Sequence, residues 1–244
     1  MCIYICFTQE NSTKIRVQKF HGLSYSYVAK SVPQILGRPS GKIKMVACHL
    51  GTGGSSVAAI DGGISVDNSM GYSPLPGLMM STRCGDIDPM LTIYLMITYG
   101  YRPDYLMDML NKESGLLGVS GFSSDIRDII NRMYKRGEHG SLALDMYVHR
   151  LKKYIGSYIT ILGGIDVLVF TDDIGLRNPL IRQEVCKGME WCGIELDKQL
   201  NRKAVGNIVS VLNTKKSKVK IISIPTAEEL AICLEGLKLL EAQR

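Results

Sequence analysis

The stretch "DVLVFTDDIGLRN", Asp166 to Asn178, decides the fold class. Four apolar residues, Val167 to Phe170, stop abruptly at Thr171, two adjacent aspartates, Ile174 and Gly175. A short apolar run closed by turn-forming residues is the pattern of a buried strand. In an open α/β sheet, the polar residues after such a strand border the crevice where ligands bind. Asp172 and Asp173 therefore admit three readings from the sequence: a metal site, a turn, or a loop altered from an earlier task.

Working outward, "IKMVAC" (43–48) reads as a second buried strand, and "HLGTGGSS" follows it at once. Val57–Ile60 and Ile64–Val66, separated by "DGG", read as a β-hairpin, because Asp-Gly supplies the positive φ such turns need. Apolar residues recur at helical spacing from Gly22 to Leu36. Asp88-Pro89 has the form of an N-cap with proline at the first helical position, opening a helix to about Tyr99. Further helices are predicted near 103–112, 125–135, 141–162 and 179–191, and further strands near 207–212 and 219–224. Thr226, with Glu229 three residues on, has the spacing of a capping box opening a last helix. Strands alternating with helices predict an α/β domain.

The 244 residues, 45% of them hydrophobic, suffice for one large domain or two small ones. The net charge of +6 is modest and scattered. Its one local concentration, "KKSKVK" at 215–220, reads more simply as a solvated loop ahead of a strand than as a nucleic-acid contact. No RNP, helix-turn-helix or zinc-finger pattern accompanies it, so no nucleic-acid partner is expected. Seven cysteines, an odd number without CxxC pairs, predict reduced, packed thiols and a cytoplasmic protein. No segment has the apolar length of a membrane span, and "MCIYICF" lacks the basic flank of a signal peptide.

Three clusters can carry chemistry. In "HLGTGGSS" (49–56), glycines permit close backbone approach, and clustered N–H groups with hydroxyls suit phosphate oxygens. The segment lacks the lysine and helix of a Walker loop, so a plain glycine-rich connection fits equally. In "TRCGDIDP" (82–89), Arg83 is either a guanidinium for a transferring phosphoryl group or the partner of Asp86, while Asp88 is a helix cap. In "SSDIRD" (123–128), Ser and Asp read first as capping residues, and secondarily as a carboxylate and guanidinium facing a nucleoside. No histidine, cysteine and carboxylate spacing matches a zinc site.

Taken in order, "FHG" (20–22), "HLGTG", "SVDNSMGYSPLPGLMMSTRCGDIDP", "NKESGLLGVSGFSSDIRDI", "LALDMYVHRLKKYIGSYITILGGIDVLVFT" and "IPTAEEL" resemble acetate kinases and the related propionate and butyrate kinases. The match runs from about Lys19 to the C-terminus, leaving residues 1–18 unmatched. The resemblance implies an actin-like ATPase (ribonuclease-H-like) fold, a mixed sheet flanked by helices. It implies phosphate transfer between ATP and acetate, giving acetyl phosphate and ADP, with Mg²⁺ and in a homodimer. It gives His21 and Arg83 the role of stabilising the transition state. It makes His49, Leu50, Gly51, Thr52 and Gly53 a phosphate loop, and Asp125, Ile126 and Arg127 the holders of the nucleoside. Asp173, Ile174, Gly175, Leu176 and Arg177 fall on the family's nucleotide loop, and Glu228 on a carboxylate tied to Mg²⁺.

Four departures qualify that expectation. Thr52 stands where the family has Asn, and Tyr25 where it has a second His. "FTDDIGLR" replaces "FTGGIGEN", putting two carboxylates where small residues approach a polyphosphate. The family's N-terminal "NAGSSS" phosphate loop and acetate-binding residues have no counterpart, so residues 19–244 are read as a C-terminal domain without its N-terminal partner. The expectation is a chain weakly active or inactive alone. The alternatives are a non-catalytic dimerising module and one half of a split kinase complemented by a separate N-terminal polypeptide.

Overall fold

The computed structural model describes residues 20–136 and 138–242. Residues 1–18, expected from the sequence to fall outside the resemblance, lie outside the described residues. The described chain divides into two compact units. The first comprises Phe20, Thr52–Val57 and Ser69–Ile155; the second comprises His21–Gly51, Ala58–Asn68 and the residues from Gly156 onward.

The strands are β1 (Lys44–Leu50), β2 (Ser55–Asp61), β3 (Ile64–Asn68), β4 (Val167–Thr171), β5 (Ser210–Val211) and β6 (Lys220–Ser223). They form one sheet in the order β3-β2-β1-β4-β6-β5. β1 and β6 both run parallel to β4, while β3 and β5 are antiparallel to their neighbours. The sheet is mixed, and its centre is parallel. β4 is buried along its whole length and β1 from Met45 onward. That is why both read as unbroken apolar runs and not as alternating ones.

The helices are α1 (Gly22–Leu36), α2 (Pro89–Tyr99), α3 (Pro103–Lys112), α4 (Gly115–Ser120), α5 (Ile126–Arg136), α6 (Glu138–Leu162), α7 (Asp172–Arg177), α8 (Pro179–Cys186), α9 (Lys198–Lys203) and α10 (Glu228–Ala242). In the second unit, α1 lays Tyr25, Val28 and Val32 against Met45 and Ala47 of β1 and Val167 and Val169 of β4. These are alternate strand residues, the ones the pleat turns to one face. The hairpin turn has Gly62 and Gly63 as its two central residues, both at positive φ (57° and 85°), so the pair Gly-Gly supplies what Asp-Gly was expected to supply.

In the first unit, the segment 70–88 is irregular and is pinned by Asp86. Its carboxylate accepts hydrogen bonds from the Gly77 N–H at 2.8 Å and the Tyr154 hydroxyl at 2.7 Å. Arg150 of α6 lies 3.8 Å from the same carboxylate and donates to the Gly77 carbonyl at 2.9 Å. Asp88 caps α2 by accepting from Met90 N–H at 2.9 Å, with Pro89 first in the helix. None of the α2 side chains is buried.

Two expectations are corrected. The segment after β4 is not a loop: α7 begins at Asp172 itself. The helix expected over 179–191 ends at Cys186, followed by a short 3₁₀ turn at Glu190–Cys192. No helix among the described residues is long and apolar enough to cross a membrane.

Candidate functional site

In the second unit, three adjacent parallel strands end on the same edge of the sheet. His49 and Thr171 are register partners on β1 and β4, and Phe170 faces Ser223 on β6. Past these ends, within this unit, come Gly51, α7 and the residues leading to Glu228, the first residue of α10. Carboxyl ends of parallel strands are where α/β sheets bind ligands, because the connections there leave a crevice. The sequence therefore brings His49, the 172–177 segment and Glu228 to one edge.

His49 is the centre of this edge. Its ring is almost fully buried. Nδ1 is 2.9 Å from the Ser24 hydroxyl, and Nε2 is 3.1 Å from the Asp172 carboxylate. The His21 ring stacks on it, with centroids 3.9 Å apart and planes 25° apart. Tyr25 approaches edge-on at 6.3 Å. A carboxylate only accepts, so Nε2 carries the hydrogen. Asp172 in turn accepts at Oδ1 from the Asp173 N–H at 2.8 Å. The His49 hydrogen bond is the main cause that holds the Asp172 carboxyl below the usual carboxylate value, helped by the Asp173 N–H, against the opposing effect of partial burial.

Serine, histidine and aspartate in a row invite comparison with a hydrolase triad, but the order of exposure is reversed. Ser24 is fully buried, and its hydroxyl reaches no substrate, while Asp172, at the other end, is partly exposed. The arrangement fixes an imidazole and activates no nucleophile.

The other site residues expected from sequence have distinct settings. Leu50 is core, and Thr52 and Gly53 are exposed. Gly53 is not at positive φ, and a Cβ there would meet nothing within 4 Å, so the fold itself imposes no glycine at that position. In the first unit, Thr52 is held by its carbonyl, which accepts from the Ser81 hydroxyl at 2.6 Å. Ile174, Gly175 and Leu176 are the buried residues of α7, with Gly175 packed closely on the Phe170 backbone. Asp173 and Arg177, one helical turn apart, form an ion pair at 3.2 Å.

Arg83 donates to the Pro74 carbonyl at 3.3 Å and contacts the Met80 sulfur at 3.6 Å. It does not pair with Asp86, whose partners are Tyr154, Gly77 and Arg150. Asp125 accepts from the Arg127 N–H at 2.8 Å, as a cap does, and binds its guanidinium through both carboxylate oxygens. Ile126 is buried at the start of α5.

Glu228 is partly exposed. Among the described residues, no group of three or more histidines, cysteines and carboxylates is placed to hold a metal. A single carboxylate suits Mg²⁺ arriving with a nucleotide, since that ion keeps its waters and takes one or two protein carboxylates besides phosphates.

Two residues escaped the sequence reading. Ser24 orients His49 from the first turn of α1, and nothing in "GLSYSYV" signals it. Arg182 is completely buried in α8, and all its hydrogen bonds go to neutral acceptors: the Gly175 and Leu176 carbonyls, the Asn201 side chain and carbonyl, and the Ala204 carbonyl. Burial lowers its pKa to about 10. Its sequence signal is a charge beside Ile181 and Val185 on a buried helical stripe.

The Acetokinase family model matches residues 3–234. The acetate kinase of Dictyoglomus thermophilum is 48% identical over 225 residues, which is 92% of this chain and 56% of that enzyme. The Thermotoga maritima acetate kinase is 42% identical over 93% of this chain and 57% of its own length. Among solved structures, the Porphyromonas gingivalis acetate kinase superposes with a TM-score of 0.88 at 40% identity, covering 93% of this chain and 56% of its own. The Entamoeba histolytica acetate kinase gives 0.89 at 43%, covering 96% and 61%. The chain thus spans a little over half the length of the relatives it matches, and its fold is theirs.

Proposed function

Because the chain belongs to the acetokinase family, we propose that it supplies the phosphate-binding side of an acetate:ATP phosphotransferase and turns over weakly or not at all by itself. The observation that carries this reading is the single sheet edge holding His49, the 172–177 segment and Glu228. The phosphoryl group leaves the β–γ bridging oxygen of ATP and joins a carboxylate oxygen of acetate. Such a transfer needs donors and positive charge around the moving group and little covalent chemistry from the protein. In this reading His49 to Gly53 receive phosphate oxygens, and the room at Gly53 lets the backbone approach them. His21, held in place by its stack on His49, stabilises the transition state. Arg83 is given the same task, and Asp125, Ile126 and Arg127 the nucleoside, on the resemblance alone. Glu228 would hold Mg²⁺ through its water shell; when bound, the ion neutralises phosphate charge.

The cytoplasm is the proposed location, and the five free thiols among the described residues suit a reducing compartment. A second copy of the chain is the proposed partner of α2. This helix exposes Met90, Ile93, Tyr94, Ile97 and Tyr99, with no buried residue to turn inward. A helix apolar on every side is stable in water only when covered.

Trapping acetyl phosphate as its hydroxamate tests the reaction. The chain alone should give little product. Mixing it with the N-terminal portion of a relative such as the D. thermophilum enzyme should give Mg²⁺-dependent product. Robust turnover by the chain alone would contradict its dependence on a complement. No product from the mixture, with dimerisation intact, favours the non-catalytic module instead.

A further inference from the structure

Among the described residues, His21 and Asp172 are the two non-glycine residues with positive φ, at 56° and 64°. Both press on His49: His21 by its stacked ring, Asp172 by its carboxylate. Left-handed backbone is unfavourable for any residue with a Cβ, and aspartate is among the few that tolerate it. At Asp172 the conformation sets the carboxylate across His49. One oxygen takes His49 Nε2 at 3.1 Å, and the other takes the Asp173 N–H at 2.8 Å. The neighbouring carboxylate, Asp173, is turned to Arg177, so it is Asp172 that meets the imidazole.

The two ring nitrogens of His49 are thereby both engaged, Nδ1 by Ser24 and Nε2 by Asp172. The Nε2–H is the donor an anion would meet on arriving at the ends of β1 and β4. A carboxylate and a phosphate present the same kind of oxygen to such a donor, and they repel each other.

We propose that the Asp172 carboxylate is a resident anion seated where a phosphate oxygen would bind His49, so that a nucleotide or polyphosphate enters only by displacing it. This rests on the reading of His49 to Gly53 as a phosphate loop. Asp172 then sets how strongly the chain binds phosphate-bearing ligands. The competition is intramolecular and always present. Relaxation of Asp172 out of its left-handed conformation is the motion that frees the imidazole.

The test is calorimetric titration of the full chain and its Asp172→Gly and Asp172→Asn variants with ADP and with inorganic tripolyphosphate. Glycine suits the 64° φ, which offsets the lost carboxylate contact, so Asp172→Gly should fold about as well as the wild type. It should bind both ligands about tenfold tighter, the change expected from removing one unfavourable charge near a polyphosphate. Asp172→Asn, which keeps the shape without the charge, should fall between. Equal, measurable affinities in wild type and Asp172→Gly would overturn the inference and leave the phosphate-loop reading standing. Binding of neither ligand by any form would overturn both.

Discussion

The Asp172 carboxylate accepts a hydrogen bond from His49 Nε2 at 3.1 Å, and the backbone at Asp172 is left-handed, with φ of 64°, where it does so. Its side chain is 33% exposed, so water screens the interaction, and about 1 kcal/mol is a ceiling for its worth. Folding lowers the Asp172 pKa, chiefly through that hydrogen bond. The contact therefore adds stability above the unfolded carboxyl's pKa and loses it as pH falls through the folded one. Wild type should be more stable than Asp172→Asn at neutral pH by up to about 1 kcal/mol. The gap should close on acidification below about pH 4. Urea unfolding of both proteins between pH 3 and 7 measures it, and a gap that is constant with pH would remove the carboxylate from the account.

Arg182→Met should be far more damaging. The substitution leaves the Gly175, Leu176 and Asn201 carbonyls without their donor in a buried site, and the Ala204 carbonyl in a partly buried one. Orphaned buried acceptors make a cost of about 3 kcal/mol the expectation. Arg182→Lys restores a charge but not the planar fork, and should recover only part. The measurement is the midpoint of urea unfolding at unchanged m-value. A loss below about 1 kcal/mol would show that these carbonyls find other partners.

Much of this fold is legible in the sequence where a local rule and a long apolar pattern agree. Gly22–Leu36 stands where its periodicity puts it, and the helix opened by Asp88-Pro89 where its cap puts it. The short helices α4, α7 and α9 escape, because six residues make too few turns for a periodicity to show. "DDIGLR" is the sharpest case: two aspartates and a glycine read as a turn, yet packing of Gly175 on the Phe170 backbone goes with a helix there. His21 and His49 can be singled out as residues, but their stack, and the reach of Asp172 to His49, follow from the parallel register of β1 and β4. Asp86 shows the converse error. Its nearness to Arg83 in sequence suggested a pair, while its actual partners include Tyr154 and Arg150, brought from α6 by the tertiary fold.

Two glycines should respond in opposite ways to alanine. Gly115 has φ of 61°, and a Cβ there would collide with the Met80 carbonyl oxygen and lie 2.7 Å from that of Arg83. Both carbonyls belong to backbone in the segment carrying Arg83, so relief requires that segment to move. Gly115→Ala should cost more than about 2 kcal/mol. Gly53→Ala meets neither strain nor neighbour, and its stability should change by less than about 0.5 kcal/mol. Its ADP affinity should nonetheless fall, because the added methyl occupies space proposed for phosphate. Thermal unfolding and calorimetry on the two variants separate the effects. Unchanged ADP affinity in Gly53→Ala would count against the phosphate loop.

Ile97 is 79% exposed on α2, whose side chains are all unburied. If a second copy covers this helix, a charge at Ile97 faces an apolar partner without compensation and costs several kcal/mol of association. Within one chain the same charge stays in water and costs little. Ile97→Asp should therefore shift the protein from dimer to monomer in light-scattering chromatography and leave the urea midpoint of the monomer almost unchanged. A wild type that is monomeric at micromolar concentration would overturn the assignment of α2. So would an Ile97→Asp variant that dimerises as well as the wild type, since the interface would then lie elsewhere.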